Sequence, residues 1–381
     1  MQIFGFLAFV AALLLSVMVH EFGHFIMAKR FGMKVSEFFL GFGQKIWSTR
    51  RGETEFGLKA IPAGGYCKIE GMTPGDHMLE GEEARAFYTA SSGRKLIVLG
   101  AGSFLHFVLG YLLLFVLFAG IGTSQLLPIV SEVVKGSPAQ NVGMQVGDEI
   151  TSINGVKVRD WYTDVLKIRN SHGRELTFGV KRDGEDLVIK ASAKREIVEG
   201  KDRYILGIMS SVGLKRSSVI TSVKNAGLVS RDLLAQSVTS LVKLPSKIPA
   251  LWGQTVSGDK RDPNGLVGVV GVARVSGEAI GSSKLSPKER IATFILIVAS
   301  LNIFVGLFNL LPLLPLDGGH MAVAIADEIR AFIARLRGRA RPAAIDVTSL
   351  TPITMVVFVI LAALTVLLLV ADIVNPVLLN L

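Results

Sequence analysis

The sequence predicts a polytopic α-helical membrane protein, with four transmembrane helices and an extracytoplasmic β-rich insert between helices 2 and 3. Three observations carry this. Half of the 381 residues are hydrophobic and the mean hydropathy is +0.49, too apolar for an ordinary soluble chain. The apolar residues gather in four blocks, roughly 3–28, 96–121, 291–311 and 353–370. Each approaches the ~20 residues that a helix needs to cross a ~30 Å hydrocarbon core. Between the second and third blocks lies a polar, turn-rich stretch the size of one or two soluble modules.

The first helix is expected over residues 1–28. It lacks a basic leading region and a small-residue cleavage site before His20, so it reads as a retained span and not as a removable signal. A loop, 29–95, follows, and its stretch from Phe38 to Met72 alternates in strand fashion around Gly64-Gly65. The second helix covers 96–121. Short β-branched runs separated by Gly-Ser-Pro, Val-Gly-Asp and Asn-Gly turns make 126–212 a small β-rich module. In 213–290, apolar residues recur at helical spacing with Lys and Arg between them. That pattern suits an amphipathic helix on the outer membrane surface, with packing on the β-rich module as the alternative. The third helix, 291–320, is interrupted by Pro312 and Pro315; a basic loop, 321–352, and a fourth helix, 353–373, complete the chain.

Orientation follows from the short loops. Lys29 and Arg30 end the first helix, Arg94 and Lys95 precede the second, and "RAFIARLRGRAR" follows the third. These three clusters fall on one side, which the positive-inside rule makes cytoplasmic. The single cysteine, Cys67, excludes an intramolecular disulfide. The net charge of +10 is spread over all the loops with no recognisable nucleic-acid module, so a nucleic-acid partner is not expected.

The chemistry is concentrated in His20-Glu21-Phe22-Gly23-His24. Two histidines four apart share a helix face and can reach one ion, and the intervening Glu suits a general base. Ionisable groups cost roughly 2.5–3.5 kcal/mol each at the centre of a spanning helix, so three within one turn need a common purpose. Zinc in a catalytic site keeps three protein ligands and an open position. The third ligand should be another buried ionisable group at similar depth. "NLLPLLPLDGGH", Asn309 to His320, offers Asp317 in a stretch whose prolines and glycines break the helix; His320 is the rival. Asn309 could hydrogen-bond substrate backbone or support an oxyanion, or could simply join two helices.

His-Glu-Phe-Gly-His ending a first membrane helix, with Asn-Leu-Leu-Pro-Leu-Leu-Pro-Leu-Asp-Gly-Gly-His in a later one, resembles the site-2 protease family of intramembrane zinc metalloproteases. The likeness is to its bacterial RseP-type members and covers nearly the whole chain. It implies one Zn2+ on His20, His24 and Asp317, Glu21 as the base, and substrate contact at Asn309. It further implies that the loop hairpin, with Gly64, Gly65 and Tyr66, dips into the membrane and presents an edge strand to substrate. Residues 126–212 resemble a PDZ domain, with Leu206, Gly207 and Ile208 at a groove that takes a peptide C-terminus or merely with bulk that screens access. The second helix departs from the family's Gly-Pro-x-x-Asn-Phe: Ser103 and His106 stand in place of the proline and asparagine.

The implied activity is cleavage of single-pass membrane proteins within the bilayer of a bacterial cytoplasmic (inner) membrane. Anti-sigma factors and signal-peptide remnants are the implied substrates. A non-hydrolytic metal scaffold or transporter is the alternative, which Glu21 disfavours because a storage site needs no base. A membrane hydrolase acting on lipids is disfavoured by the peptide-binding character of the β-rich module.

Overall fold

In lipid, a run of Leu, Ile, Val, Phe and Ala can satisfy its backbone only by closing hydrogen bonds within itself, and the four apolar blocks are helices. The computed structural model describes residues 1–377 apart from 74, 77, 79, 199, 200, 258, 260, 263 and 264. The chain begins with α1 (Gln2–Arg30), β1 (Val35–Arg51), β2 (Thr54–Ile69) and α2 (Ser92–Val116), which a π turn extends to Ile121. Then come β3 (Thr123–Val133), α3 (Pro138–Asn141), β4 (Glu149–Ile153), β5 (Val156–Lys157) and α4 (Trp161–Arg169). Next are β6 (Glu175–Arg182), β7 (Glu185–Ser192), β8 (Lys194–Val198), β9 (Lys201–Ile205) and β10 (Ile208–Lys215). The remainder is helical: α5 (Val219–Trp252), α6 (Val269–Gly281), α7 (Pro287–Asn309), α8 (Asp317–Leu336) and α9 (Thr351–Val374). These elements form two units, Met1–Gly120 with Ser217–Leu381, and Ile121–Arg216.

Among the described residues, four helices are long and apolar enough to cross a membrane: Gln2–Arg30, Ser92–Ile121, Pro287–Asn309 and Val347–Val374. The first three pack through small residues, as expected where lipid removes the hydrophobic drive between helices. A Cβ on Gly23 of α1 would lie 2.6 Å from the Ala101 carbonyl of α2, and one on Gly110 of α2 would lie 2.9 Å from Ile303 of α7. Helix α6 lies against the start of α1, where Gly5 approaches Gly277. Helix α9 is buried only at Ala371 and Asp372. The Asp372 carboxylate accepts from the Gly271 amide of α6 at 2.8 Å and pairs with Arg261 at 3.4 Å. Both partners of that ion pair are buried.

The stretch between α1 and α2 is more than a hairpin. Phe38 pairs with both Cys67 and Phe56, and Leu40 with both Gly65 and Leu58, while Thr54–Lys59 also pairs with Lys45–Arg51. The two strands therefore fold over into four segments in the order 61–69, 35–42, 54–59, 45–51. Gly41 and Gly43, at φ +89° and +83°, supply the bend that a side chain would oppose. The edge segment 61–69 lies along α1.

Three expectations need correction here. The stretch 291–320 is not one interrupted helix: α7 stops at Asn309 and α8 starts at Asp317. The prolines at 312 and 315 withhold amide donors and force the turn between them. The expected loop 321–352 is consequently helical as far as Leu336. Residues 213–290, read as an amphipathic helix, hold two helices, α5 and α6.

In the second unit the strand order is β10-β3-β4-β6-β7, with β5 on β4 and β8–β9 paired separately. Asn154-Gly155 and Asp183-Gly184 all have positive φ, the requirement of tight two-residue hairpin turns. Alternate residues Leu176, Phe178 and Val180 of β6 enter the core with Ile150, Ile153 and Trp161. Leu206, expected at the groove, belongs to this core and is 3% exposed. Gly207 gives its carbonyl to Val134, and Ile208 begins β10 opposite Val133. The unit's first and last strands pair with each other, Thr123 opposite Lys215. In the helical unit, Phe118 accepts from the Ser217 amide at 3.0 Å.

Candidate metal centre

Helical spacing puts His20 and His24 on the buried side of α1, their Nε2 atoms 3.1 Å apart. The Asp317 Oδ2 atom lies 3.2 Å from the first and 3.3 Å from the second. The Val98 carbonyl, 2.8 Å away, accepts a hydrogen bond from His24 Nδ1, so the neutral ring turns a lone pair at Nε2 toward the other two. Asp317 Oδ2 is buried with no hydrogen-bond donor. Three acceptors converging in this way are satisfied by a cation. Ligand atoms placed tetrahedrally about 2.0 Å from one zinc ion lie about 3.3 Å apart, which matches the triangle. Among the described residues this is the group whose ligand atoms all lie within 4.8 Å of one another; His320 and His106 are outside it.

Local sequence explains the convergence. Asp317 reaches α1 because α8 starts tucked beneath the turn after α7: a Cβ on Gly318 would lie 2.3 Å from the Leu311 carbonyl. Gly102 of α2 backs the histidines, and a Cβ there would lie 2.6 Å from both His20 and His24.

A cavity of about 320 Å³ opens beside the triangle, lined among others by Glu21, His106, Asn309 and Pro315. Glu21 is half-buried and off the ligand line. Asn309 Nδ2 is 3.5 Å from His20 Nε2, at the cavity wall. Gly65 reaches this place too, since its missing Cβ would meet Met18 and lie 3.5 Å from Glu21 Cγ. Gly64 and Tyr66 project to the opposite face of the strand, as alternation requires. Tyr66 stacks on Phe39 and Phe42 and donates its hydroxyl to Glu37, so of the three hairpin residues only Gly65 joins the site.

A buried chain of hydrogen bonds was not anticipated. Asn302 of α7 donates to Ser16 at 3.0 Å and to the Val298 carbonyl at 2.8 Å. Its amide oxygen therefore accepts from His106 Nδ1, 2.9 Å away. The His106 and His20 rings are 5.0 Å apart. A lone Asn in an apolar block was the available signal for this link.

The sequence profile of Peptidase family M50 matches residues 8–351. The chain belongs to this family, the site-2 proteases. Zinc metalloprotease Rip1 of Mycobacterium tuberculosis is 33% identical over 407 aligned residues, covering 99% of each chain. The putative zinc metalloprotease CPE1693 of Clostridium perfringens is 29% identical with the same coverage, and FN1322 of Fusobacterium nucleatum is 32% identical over 85% of this chain and 88% of its own. This M50 protein is accordingly a membrane metalloendopeptidase whose cofactor is Zn2+.

Proposed function

We propose that the chain is an intramembrane zinc endopeptidase that cuts the spanning segments of single-pass membrane proteins. The observation that carries the reading is the His20–His24–Asp317 triangle with Glu21 at its side, set among helices long enough to span. His20, His24 and Asp317 would hold the ion. Bound zinc supplies Lewis acidity to the scissile carbonyl and to the attacking water. Glu21 takes a proton from that water and returns it to the leaving nitrogen. The edge segment 61–69, close to Glu21 at Gly65, would hold substrate as an added strand, so a helical substrate must first unwind. Asn309 would donate to substrate backbone at the cavity wall.

The basic ends of α1 and α2 and the arginines of α8 lie on the cytoplasmic side in this reading, with the β-rich unit outside a bacterial inner membrane. That unit acts as a PDZ domain, able to take a peptide C-terminus or to screen bulky proteins. Anti-sigma factors trimmed outside and signal-peptide remnants are the substrate classes. The test compares cleavage of a model transmembrane substrate by wild type and Glu21→Gln, with zinc counted in both. Zinc retained with cleavage lost is the expected result; undiminished cleavage by the variant would refute the reading.

A further inference from the structure

Helix α8 carries two faces. Its buried residues Ala324, Ala331 and Ala334 turn toward the bundle. Ile325, Ile329, Phe332 and Leu336 recur at the spacing of one helical stripe, joined by Ile333, and these five are 41–72% exposed. At 100° per residue the stripe is centred nearly opposite the alanines. Exposed arginines flank it: Arg330 and Arg337 on one side, Arg335 on the other. Five arginines stand against two acids between residues 327 and 341. Among the described residues, Arg335, Arg337 and Arg339 form no ion pair.

A groove of about 670 Å³ separates this helix from the start of α2. Leu96, Ile325, Ile329 and Phe332 give it apolar walls, and Arg335 and Arg341 stand at its rim. Glu328 accepts from Ser92 at 2.8 Å and from Arg341 at 3.0 Å, which fixes Arg341 there. The α1 end is close by, since Arg94 of α2 lies over the Phe31 ring.

We infer that α8 lies in the membrane surface and binds anionic phospholipid, acyl chains on the Ile325–Leu336 stripe and groove, phosphates on Arg335, Arg337, Arg339 and Arg341. An apolar stripe bordered by cations beside spanning helices is the signature of an interfacial helix. Helix α8 is outside the set apolar enough to cross, so its stripe meets lipid at the surface. A water-soluble protein partner would need no such continuity with the spanning helices. Because Asp317 is the first residue of α8, seating the helix on lipid also holds the third metal ligand in place, a consequence that rests on the proposed metal site.

The full chain is placed in nanodiscs of POPC alone or of POPC with about one-third POPG. Hydrogen–deuterium exchange across residues 325–336, POPG retained in native mass spectra, and zinc loss to a chelator are measured for wild type, an Arg335→Gln/Arg337→Gln/Arg339→Gln variant and the corresponding Arg→Lys variant. We expect protection of α8 and slower zinc loss with POPG. The glutamine variant should retain roughly tenfold less POPG and the lysine variant should recover it. Equal protection in both discs, equal POPG retention by wild type and the glutamine variant, or cross-linking of the stripe to a second copy would overturn the inference. Failure to cleave substrate in either disc, with lipid retention as expected, would count against the metal site and leave the lipid surface standing.

Discussion

Replacing Gly102 by Ala inserts one methyl against both histidines, 2.6 Å from His20 Cε1 and from His24 Nε2. Both rings are buried; His24 is tied through Nδ1 to the Val98 carbonyl, one turn away on the same helix as Gly102, and His20 borders the cavity, so any shift that relieves the contact moves it relative to His24. Overpacking of this kind costs about 1–3 kcal/mol. Here the strain falls on the proposed ligand atoms, so it should appear in metal affinity as a loss of about five- to about 140-fold. Alanine also gains about 1 kcal/mol of helix propensity over glycine, which a matched control cancels. Gly110→Ala crowds Ile303 and the Ala299 carbonyl instead, at 2.9 and 3.1 Å, and touches no ligand. Both variants should melt lower than wild type, but only Gly102→Ala should weaken zinc in a competition titration against a fluorescent chelator. Equal zinc affinity in the two variants, or a Gly102→Ala affinity within twofold of wild type, would refute the reasoning.

Asp372→Ala leaves Arg261 as a buried unpaired charge and an α6 amide without its acceptor. Such breakage costs about 3–5 kcal/mol, so a lower melting temperature in detergent is expected, with partial recovery when Arg261 is made Met. Asn302→Leu strips partners from both Ser16 and His106; at about 1–3 kcal/mol per unsatisfied group, it should lower stability measurably while a variant at Ser300, outside this chain of bonds, does not. Glu53 at the hairpin turn is held by Arg85 and Lys29, and the Arg85 guanidinium first of all draws its carboxyl down to about 2 from 4.5. Its stabilisation is complete above the unfolded value of 4.5 and is lost as pH falls from there through about 2. Limited proteolysis of the hairpin should therefore speed up over that window in wild type and show no such step in Glu53→Gln.

Much of the centre was legible in one dimension because its constraints are local. Helical spacing joins His20 to His24, and the proline-glycine break announces Asp317 about 300 residues on. The four spans were legible through length and hydropathy. Helix α8 was hidden by its arginines, which made a loop of a segment whose apolar residues still keep helical period. The double fold of the hairpin depends on bends at Gly41 and Gly43 that alternation does not reveal. Tertiary pairs such as His106 with Asn302 and Arg261 with Asp372, 196 and 111 residues apart, leave no pattern in a single sequence beyond an isolated polar residue where lipid or core is expected.

The chain leaves the helical unit beside the place where it returns, with Phe118 and Ser217 sharing a hydrogen bond. The inserted unit likewise begins and ends on adjacent strands. To the helices, the whole insert is equivalent to one tight turn. The entropy of closing that connection is set by the neighbouring ends and grows only slowly with what is threaded between them. By the same reasoning, a longer or shorter insert costs the helices little extra closure entropy as long as its two ends stay adjacent.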